Sequence, residues 1–410
     1  MSPALASLLA LVAAIAISVV SRLNVGLVAI PLAWAVGSYG GQPAEAVLGG
    51  FPSSLFVTLA GVTLLFALAE VNGTIAALAT RLARLAEGRS RLLPVLTFVI
   101  ACLLSTCGPG AIPATALVAP LAFAMAGPVM IPPFLTALMV ANGANAGNLS
   151  PLSAVGIIAN TRMAAVGLGG HEWKVWAANF IAHALVAAVA YAVLVRRVPA
   201  RDAAAAVVPP ALGPAHWTTM MVIAGWIVSV VVFGAPLGLA AFAAAAMLVA
   251  SRAAAEGGAV RAIPWGAIIM VCGVTMLVST VERSGGLELF TALLAALATP
   301  ATLNGVIAFV TGAISSASST SGVVLPTFLP TAPGLVQQVG GGDPLAVALS
   351  INIGSSLVDV SPLSTIGAIC VAAAGAADPA LFRKMLLWGL SMSLVGAALC
   401  LAFAGPFARW

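Results

Sequence analysis

Charged residues are scarce in this chain. Asp, Glu, Lys and Arg make up 7% of its 410 residues, whereas a soluble domain carries about 25%. Hydrophobic residues make up 62%, and the mean hydropathy is +1.15. Apolar stretches long enough to cross a bilayer recur from Pro3 to Phe403. We therefore expect residues 1–410 to form a single integral membrane unit without a separate soluble domain.

Sequence signatures of enzymes, metal sites and nucleotide sites are also missing. The five cysteines show neither CxxC nor Cys/His spacing, which argues against a disulfide framework and a zinc site. No Ser/His/Asp set, phosphate loop or GxGxxG unit is present, so we predict neither an enzyme nor a bound cofactor. The net charge of +5 is spread between apolar spans, and nucleic acid is not an expected partner.

The apolar segments predict an all-α polytopic membrane protein with about ten crossings. Two of these crossings are interrupted by Asn, Gly, Ser and Pro and are predicted as broken helices. Two further apolar regions are broken by Ser/Gly clusters and are predicted as re-entrant hairpins. The ordinary spans are 3–20, 24–39, 52–72, 175–195, 216–234, 236–250, 264–282 and 381–404; the broken helices are 131–160 and 344–375; the hairpins are 92–126 and 301–332.

The basic residues predict the orientation. With the N-terminus outside, twelve of the sixteen Lys and Arg residues fall on one side, as the positive-inside rule requires. The first apolar run has no basic segment before it, so it is predicted as a retained helix. We expect a multi-pass protein of a bacterial cytoplasmic membrane with both termini in the periplasm.

Two parts of the sequence repeat. Gly61-Val62-Thr63 recurs as Gly273-Val274-Thr275 at an offset of 212 (273 − 61), and Ser150–Ser153 recurs as Ser361–Ser364 at 211 (361 − 150). Five predicted crossings separate the copies, so the repeats, about 50–196 and about 262–404, are predicted to be inverted. Inverted repeats with broken helices are typical of secondary transporters. The alternative is that the paired Gly and Pro breaks only kink packed helices.

The two hairpin turns are predicted to bind an anion. Hydroxyl groups and free N–H groups at helix N-termini can hold a carboxylate without a buried Arg. Small polar patches also serve as packing surfaces between membrane helices, and that alternative stays open. The candidate substrate-binding residues are Ser105, Thr106, Gly108, Ser150, Ser318, Ser319, Thr320 and Ser361.

The broken helices are predicted to bind the coupling ion, because amide, hydroxyl and carbonyl oxygens suit sodium. Asp359 is the most conspicuous candidate, since a carboxylate inside a membrane segment is costly; its repeat partner is Asn148 (359 − 211). A helix-capping Asp is the alternative. His183, also within a span, is predicted to be hydrogen-bonded between helices or to relay protons. The candidate ion ligands are Asn142, Asn145, Asn148, Ser355, Ser356 and Asp359.

These motifs resemble the divalent anion/sodium symporter (INDY-type) fold of the ion transporter superfamily, and within it the MatC-like dicarboxylate carriers. The resemblance lies in Ser105–Gly110, Asn145–Ser153, Ser318–Thr320 and Ser355–Ser364; the Ser-Asn-Thr signature of the hairpin tips is absent. It implies a homodimer with scaffold and transport domains, an elevator-type cycle and a carboxylate held between the tips. It also implies sodium sites at Ser105, Thr106, Asn145 and Asn148, and at Ser318, Thr320, Ser355 and Asp359.

The expected function is secondary transport of a small carboxylate or dicarboxylate such as malonate, coupled to sodium or protons. A cation/proton antiporter of the same superfold is the alternative, and the single intramembrane Asp counts against it. A passive channel or an assembly subunit is a third class, against which the duplicated broken helices argue.

Overall fold

The fold consists of helices packed side by side. The computed structural model describes residues 1–20, 23–83, 90–108, 110–127, 130–197, 211–316, 319–375 and 380–410, and within these ranges it contains helices and no strand. The all-α architecture predicted from the apolar runs is therefore confirmed.

The helices fall into two series. The first series is α1 (Pro3–Val20), α2 (Val25–Tyr39), α3 (Ala44–Leu48), α4 (Ser53–Val71), α5 (Thr74–Ala83), α6 (Leu93–Thr106), α7 (Ala111–Ala126), α8 (Pro133–Gly147), α9 (Ala154–Ala164) and α10 (Glu172–Leu194). The second series is α11 (Pro214–Val231), α12 (Leu237–Ala250), α13 (Glu256–Ala262), α14 (Trp265–Arg283), α15 (Gly286–Ala295), α16 (Leu303–Ser315), α17 (Leu325–Phe328), α18 (Ala332–Val339), α19 (Pro344–Leu357), α20 (Thr365–Ala374) and α21 (Leu381–Arg409).

The predicted spans coincide with helices. The predicted span 52–72 is α4, 264–282 is α14, and the broken helix 131–160 corresponds to α8 and α9. In the described part of the chain, five helical segments are long and apolar enough to cross a membrane by length and composition: Ala44–Val71, Glu172–Leu194, Trp265–Arg283, Pro344–Ala374 and Leu381–Arg409. A multi-pass membrane protein follows, while the number of ten crossings stays a prediction.

Corresponding helices start at nearly constant offsets. Helix α14 begins 212 residues after α4 (265 − 53), and α19 begins 211 residues after α8 (344 − 133). The correspondence includes the helices before residue 50, because α11 begins 211 residues after α1 (214 − 3). The two series thus match over a longer stretch than the predicted repeats, whose bounds remain a prediction.

Equivalent glycines let helices of the two series cross closely. A Cβ atom at Gly273 in α14 would overlap the backbone of Gly26 in α2. A Cβ atom at Gly61 in α4 would lie 2.5 Å from the carbonyl oxygen of Gly238 in α12. Gly61 and Gly273 are 212 residues apart, as are Gly26 and Gly238. Small residues at both crossings allow backbone contact, as in other packed membrane helices.

The order of contacts along α14 shows how the series run relative to each other. The Arg283 guanidinium donates a hydrogen bond to the Ala46 carbonyl, and a Cβ atom at Gly50 would lie 3.1 Å from the Ser279 Cβ. Farther on, the rings of Phe56 and Trp265 are 6.4 Å apart. Since the first chain position rises while the second falls, α3–α4 and α14 run in opposite directions. This order favours an inverted relation between the series.

Contacts at the helix ends agree with the predicted sidedness. The Lys174 Nζ donates to the Ala408 carbonyl at 2.9 Å, and the Gln42 side chain donates to Ser284 Oγ at 3.0 Å; the prediction places both pairs outside. The Asn72 side-chain amide donates to Thr219 Oγ1 at 2.7 Å, and the prediction places this pair on the cytoplasmic side. Which side is periplasmic stays a prediction.

Both predicted hairpins are helix–turn–helix units. Helices α6 and α7 pack against each other, and α6 has 14 residues, so it is about 21 Å long at 1.5 Å per residue, shorter than a bilayer core of about 30 Å. In the second unit, α16 is followed by a π-helical turn at Thr320–Val324, α17, a 3-10 turn at Leu329–Thr331 and α18. The helices of this unit continue to Val339, and the hairpin bounds 301–332 stay a prediction.

Candidate functional site

The turn of the first hairpin docks on the end of the broken helix α8. The Ser150 Oγ donates to the Thr106 carbonyl at 2.7 Å, and the Ala111 N–H donates to Asn148 Oδ1 at 3.0 Å. At Gly147 a Cβ atom would collide with the backbone of α6 and lie 2.7 Å from Thr106 Oγ1. We call this contact region the first junction.

Two polar side chains at the first junction have no hydrogen-bond partner among the described residues. The Ser105 Oγ and both side-chain amide atoms of Asn145 are buried and make no hydrogen bond within the described structure. A buried polar atom without a partner costs about 1–3 kcal/mol, so such atoms usually mark a strained or ligand-binding position. Both residues are among the predicted ligands, and both offer an oxygen that suits a cation.

The turn of the second hairpin docks on the end of α19 in the same way. The Thr320 Oγ1 lies 2.9 Å from each carboxylate oxygen of Asp359 and 3.3 Å from the Ser355 carbonyl oxygen. It also contacts Ser315 Oγ. The Ser319 Oγ accepts the Gly322 N–H at 3.0 Å and caps the π-helical turn. We call this region the second junction.

The two junctions match in geometry and differ in charge. In each, the start of the hairpin's second arm donates a hydrogen bond to the side chain that follows the broken helix: Ala111 to Asn148, and Thr320 to Asp359. Asp359 is buried, and Thr320 is its side-chain donor among the described residues. Asp359 does not cap the next helix, because Ser364 is the N-cap of α20. The capping alternative for Asp359 is therefore wrong.

Some predicted ligands shape the turns. The hydroxyls of Ser150 and Ser361 accept the N–H group two residues ahead, at 3.2 and 3.3 Å, and so close the bends after α8 and α19. Gly108 has a φ of +145°, and a Cβ atom there would overlap the Phe66 ring, so only glycine fits. Ser318 lies outside the described residues.

A buried hydrogen-bond network joins the broken helices to α10. His183 Nδ1 lies 3.1 Å from Asn142 Oδ1 on α8, and His183 Nε2 lies 3.3 Å from Ser356 Oγ on α19. The Ser356 hydroxyl also donates to Asn179 Oδ1 at 2.7 Å, and Asn179 Nδ2 donates to the Asn145 carbonyl at 2.7 Å. The prediction that His183 is hydrogen-bonded between helices is confirmed. Asn179 belongs to no motif, so the sequence alone does not single it out.

Comparison with solved structures identifies the architecture. The YdaH transporter of Alcanivorax borkumensis is similar, with a TM-score of 0.59 and 18% identity over 88% of this chain and 87% of that one. The chain has the fold of a polytopic membrane transporter. MtrF of Neisseria gonorrhoeae, described with a class of antimetabolite efflux pumps, is also similar, with a TM-score of 0.57 and 14% identity over 88% of this chain and 82% of that one.

A family model covers the first part of the sequence. The model described as the N-terminus of the dicarboxylate carrier protein MatC matches residues 1–148, which include the first hairpin and end at Asn148. No curated protein matches the chain. The predicted resemblance to MatC-like carriers is supported over this stretch, while the wider INDY-type relation stays a prediction.

Proposed function

We propose that the protein is a secondary transporter that carries a small dicarboxylate across the bacterial cytoplasmic membrane, coupled to sodium or protons. The observation that supports this most is the pair of junctions, in which a polar hairpin turn docks on a broken helix inside an otherwise apolar protein. The similarity of residues 1–148 to the dicarboxylate carrier model supports the choice of substrate class. The similarity to transporter structures supports transport as the activity.

The anion is held between the two turns in this proposal. Hydroxyl donors come from Ser105 and Thr106 on one side and from Ser319 on the other. The Thr320 hydroxyl, which donates to Asp359 in this structure, turns to the anion once a cation binds Asp359. The N-terminus of α7 adds N–H groups and the positive end of a helix dipole. Such a site suits a flat dianion of a few carbons, because each carboxylate meets one turn.

The coupling ion lies behind the turns. Asp359 supplies a negative charge at the second junction, and Ser105 and Asn145 supply neutral oxygens at the first. A sodium ion or proton at Asp359 neutralises this carboxylate, so that it no longer repels the dianion and the loaded site crosses the membrane with less electrostatic cost. We further propose that the protein is a homodimer and works by an elevator-type cycle.

Counterflow tests the proposal. Purified protein is reconstituted into liposomes loaded with unlabelled malonate, succinate or fumarate, and uptake of the same labelled dicarboxylate is followed with and without a sodium or pH gradient. We expect accumulation that requires internal dicarboxylate and rises with one inward cation gradient. Cation exchange without dicarboxylate movement would favour the antiporter, and dicarboxylate flux without counterflow would indicate a channel.

A further inference from the structure

The polar network around α10 ties the first junction to the second. Asn179 on α10 donates to the carbonyl of Asn145, whose side chain belongs to the first junction. Asn179 also accepts from Ser356, which follows Ser355, and the Ser355 carbonyl contacts Thr320 at the second junction. The side chains of Asn179, His183 and Ser356 are almost fully buried, so water does not compete for their hydrogen bonds.

Two bridges run from α8 to α19, and both end on one hydroxyl. The first passes from Asn142 through His183 to Ser356, and the second passes from Asn145 through Asn179 to Ser356. Asn142 Nδ2 donates to the Leu138 carbonyl at 2.9 Å, which turns its Oδ1 toward the imidazole. A neutral imidazole then carries its proton on Nδ1 and offers Nε2 as an acceptor.

The Ser356 hydroxyl therefore has one proton for two acceptors on α10, and it also lies 3.3 Å from the Ile353 carbonyl of its own helix. When it bonds Asn179 Oδ1, the His183 Nε2 lacks a donor, and when it bonds Nε2, the Asn179 amide oxygen lacks one. A buried acceptor without a donor is costly. The two arrangements are mutually exclusive, which is the property that a coupling element between two sites needs.

We propose that Ser356, with Asn179 and His183, is a positioning node that couples the first junction to the second. This inference rests on the proposed function for the meaning of the junctions, and it replaces the predicted role of Ser356 and Asn142 as ion ligands. A change at one junction shifts the Ser356 proton and, through α10, the position of the broken helix at the other.

Cys107 provides a readout that needs no transport. It is the exposed cysteine of the first turn, whereas Cys102, Cys272, Cys370 and Cys400 are buried. The perturbation is Thr320→Val at the second junction, and the measurement is the rate at which a maleimide alkylates Cys107. We expect this substitution to change the alkylation rate about fivefold or more. A factor of about five is the lower end of the effects that typical coupling free energies produce.

The variant Ser356→Ala removes both bridges at once. Its matched control is Ser350→Ala, because the Ser350 hydroxyl is also buried on α19 but bonds the Ala346 carbonyl of its own helix, at 2.7 Å, and the Cys400 thiol of α21 rather than a side chain of α10. We expect the effect of Thr320→Val on Cys107 to vanish with Ser356→Ala, to persist with Ser350→Ala and to return with Ser356→Thr.

A second variant pair protects the test against a misfolded Ser356→Ala protein. The double substitution Asn179→Leu and His183→Leu removes the same bridges from α10, and it is expected to abolish the effect equally. The inference is overturned if Thr320→Val leaves Cys107 unchanged in the native background, or changes it equally with and without the bridges. Absence of counterflow with intact coupling of Cys107 would instead count against the proposed function alone.

Discussion

Asp359→Asn is the most informative single substitution. It replaces a buried carboxylate with an amide of nearly the same shape, and it gives the second junction the same residue that the first junction has at Asn148. The amide oxygen still accepts the Thr320 hydroxyl proton, which now lies 2.9 Å from the carboxylate oxygens. The substitution therefore removes the charge while keeping the hydrogen bond.

The expected loss follows from the Coulomb energy of a cation beside Asp359. Two unit charges about 4 Å apart attract each other by about 4 kcal/mol at an effective dielectric constant of about 20. Because every 1.4 kcal/mol corresponds to a tenfold change, the affinity for the coupling cation should fall by roughly a thousandfold. Binding of the dicarboxylate without the cation should change much less.

Dicarboxylate uptake into proteoliposomes measures this loss. The concentration of sodium, or of protons, that gives half-maximal uptake is determined for the native protein and for Asp359→Asn. Asp343→Asn is the matched control, because Asp343 caps α19 through the Leu345 N–H at 2.9 Å and asparagine caps equally well. Native sodium and pH profiles in Asp359→Asn would refute the assigned role of Asp359.

Two further substitutions test the second turn and the packing of the helices. Thr320→Val removes the hydroxyl that the proposed site donates to the dicarboxylate. A hydrogen bond to a charged group is worth about 1.5–3 kcal/mol, so dicarboxylate affinity in a binding assay should fall about 10- to 100-fold, while Thr320→Ser keeps it. Native affinity in the valine variant would contradict the site. Gly273→Ala should lower the thermal unfolding midpoint in detergent, because the new methyl group overlaps Gly26 and overpacking costs about 1–3 kcal/mol. Gly225 has open space around it, so Gly225→Ala should leave the midpoint unchanged. Equal midpoints for the two variants would argue against the tight crossing.

The apolar runs and the Gly and Pro residues that interrupt them were enough to predict the long helices. The apolar runs predict α4 and α14 to within a residue, because in a bilayer the backbone must satisfy its own hydrogen bonds and apolar length alone defines a helix. The interruption at Asn142–Pro151 likewise predicts the break between α8 and α9. The short helix α5 was not predicted, because it is amphipathic and too short to span.

The contents of the site were harder to predict. Sequence position places Asn142, Asn145 and Ser356 near the breaks, but it does not say which face of a helix each residue occupies. In the described part of the chain the Asn145 side chain has no hydrogen-bond partner, while Asn142 and Ser356 bond to side chains of α10. Asn179 stands in an ordinary apolar span with no motif around it, so only its contacts reveal its role.

The claim that both turns hold one anion is tested most directly by cysteine protection. Cys107 reports on the first turn, and Ser319→Cys in a Cys107→Ser background reports on the second. The dicarboxylate that gives counterflow, at about ten times its half-saturating concentration, should slow alkylation at both positions about tenfold, because about one site in eleven is then empty. Protection at one turn only, or at neither, would contradict a site shared by the two hairpins.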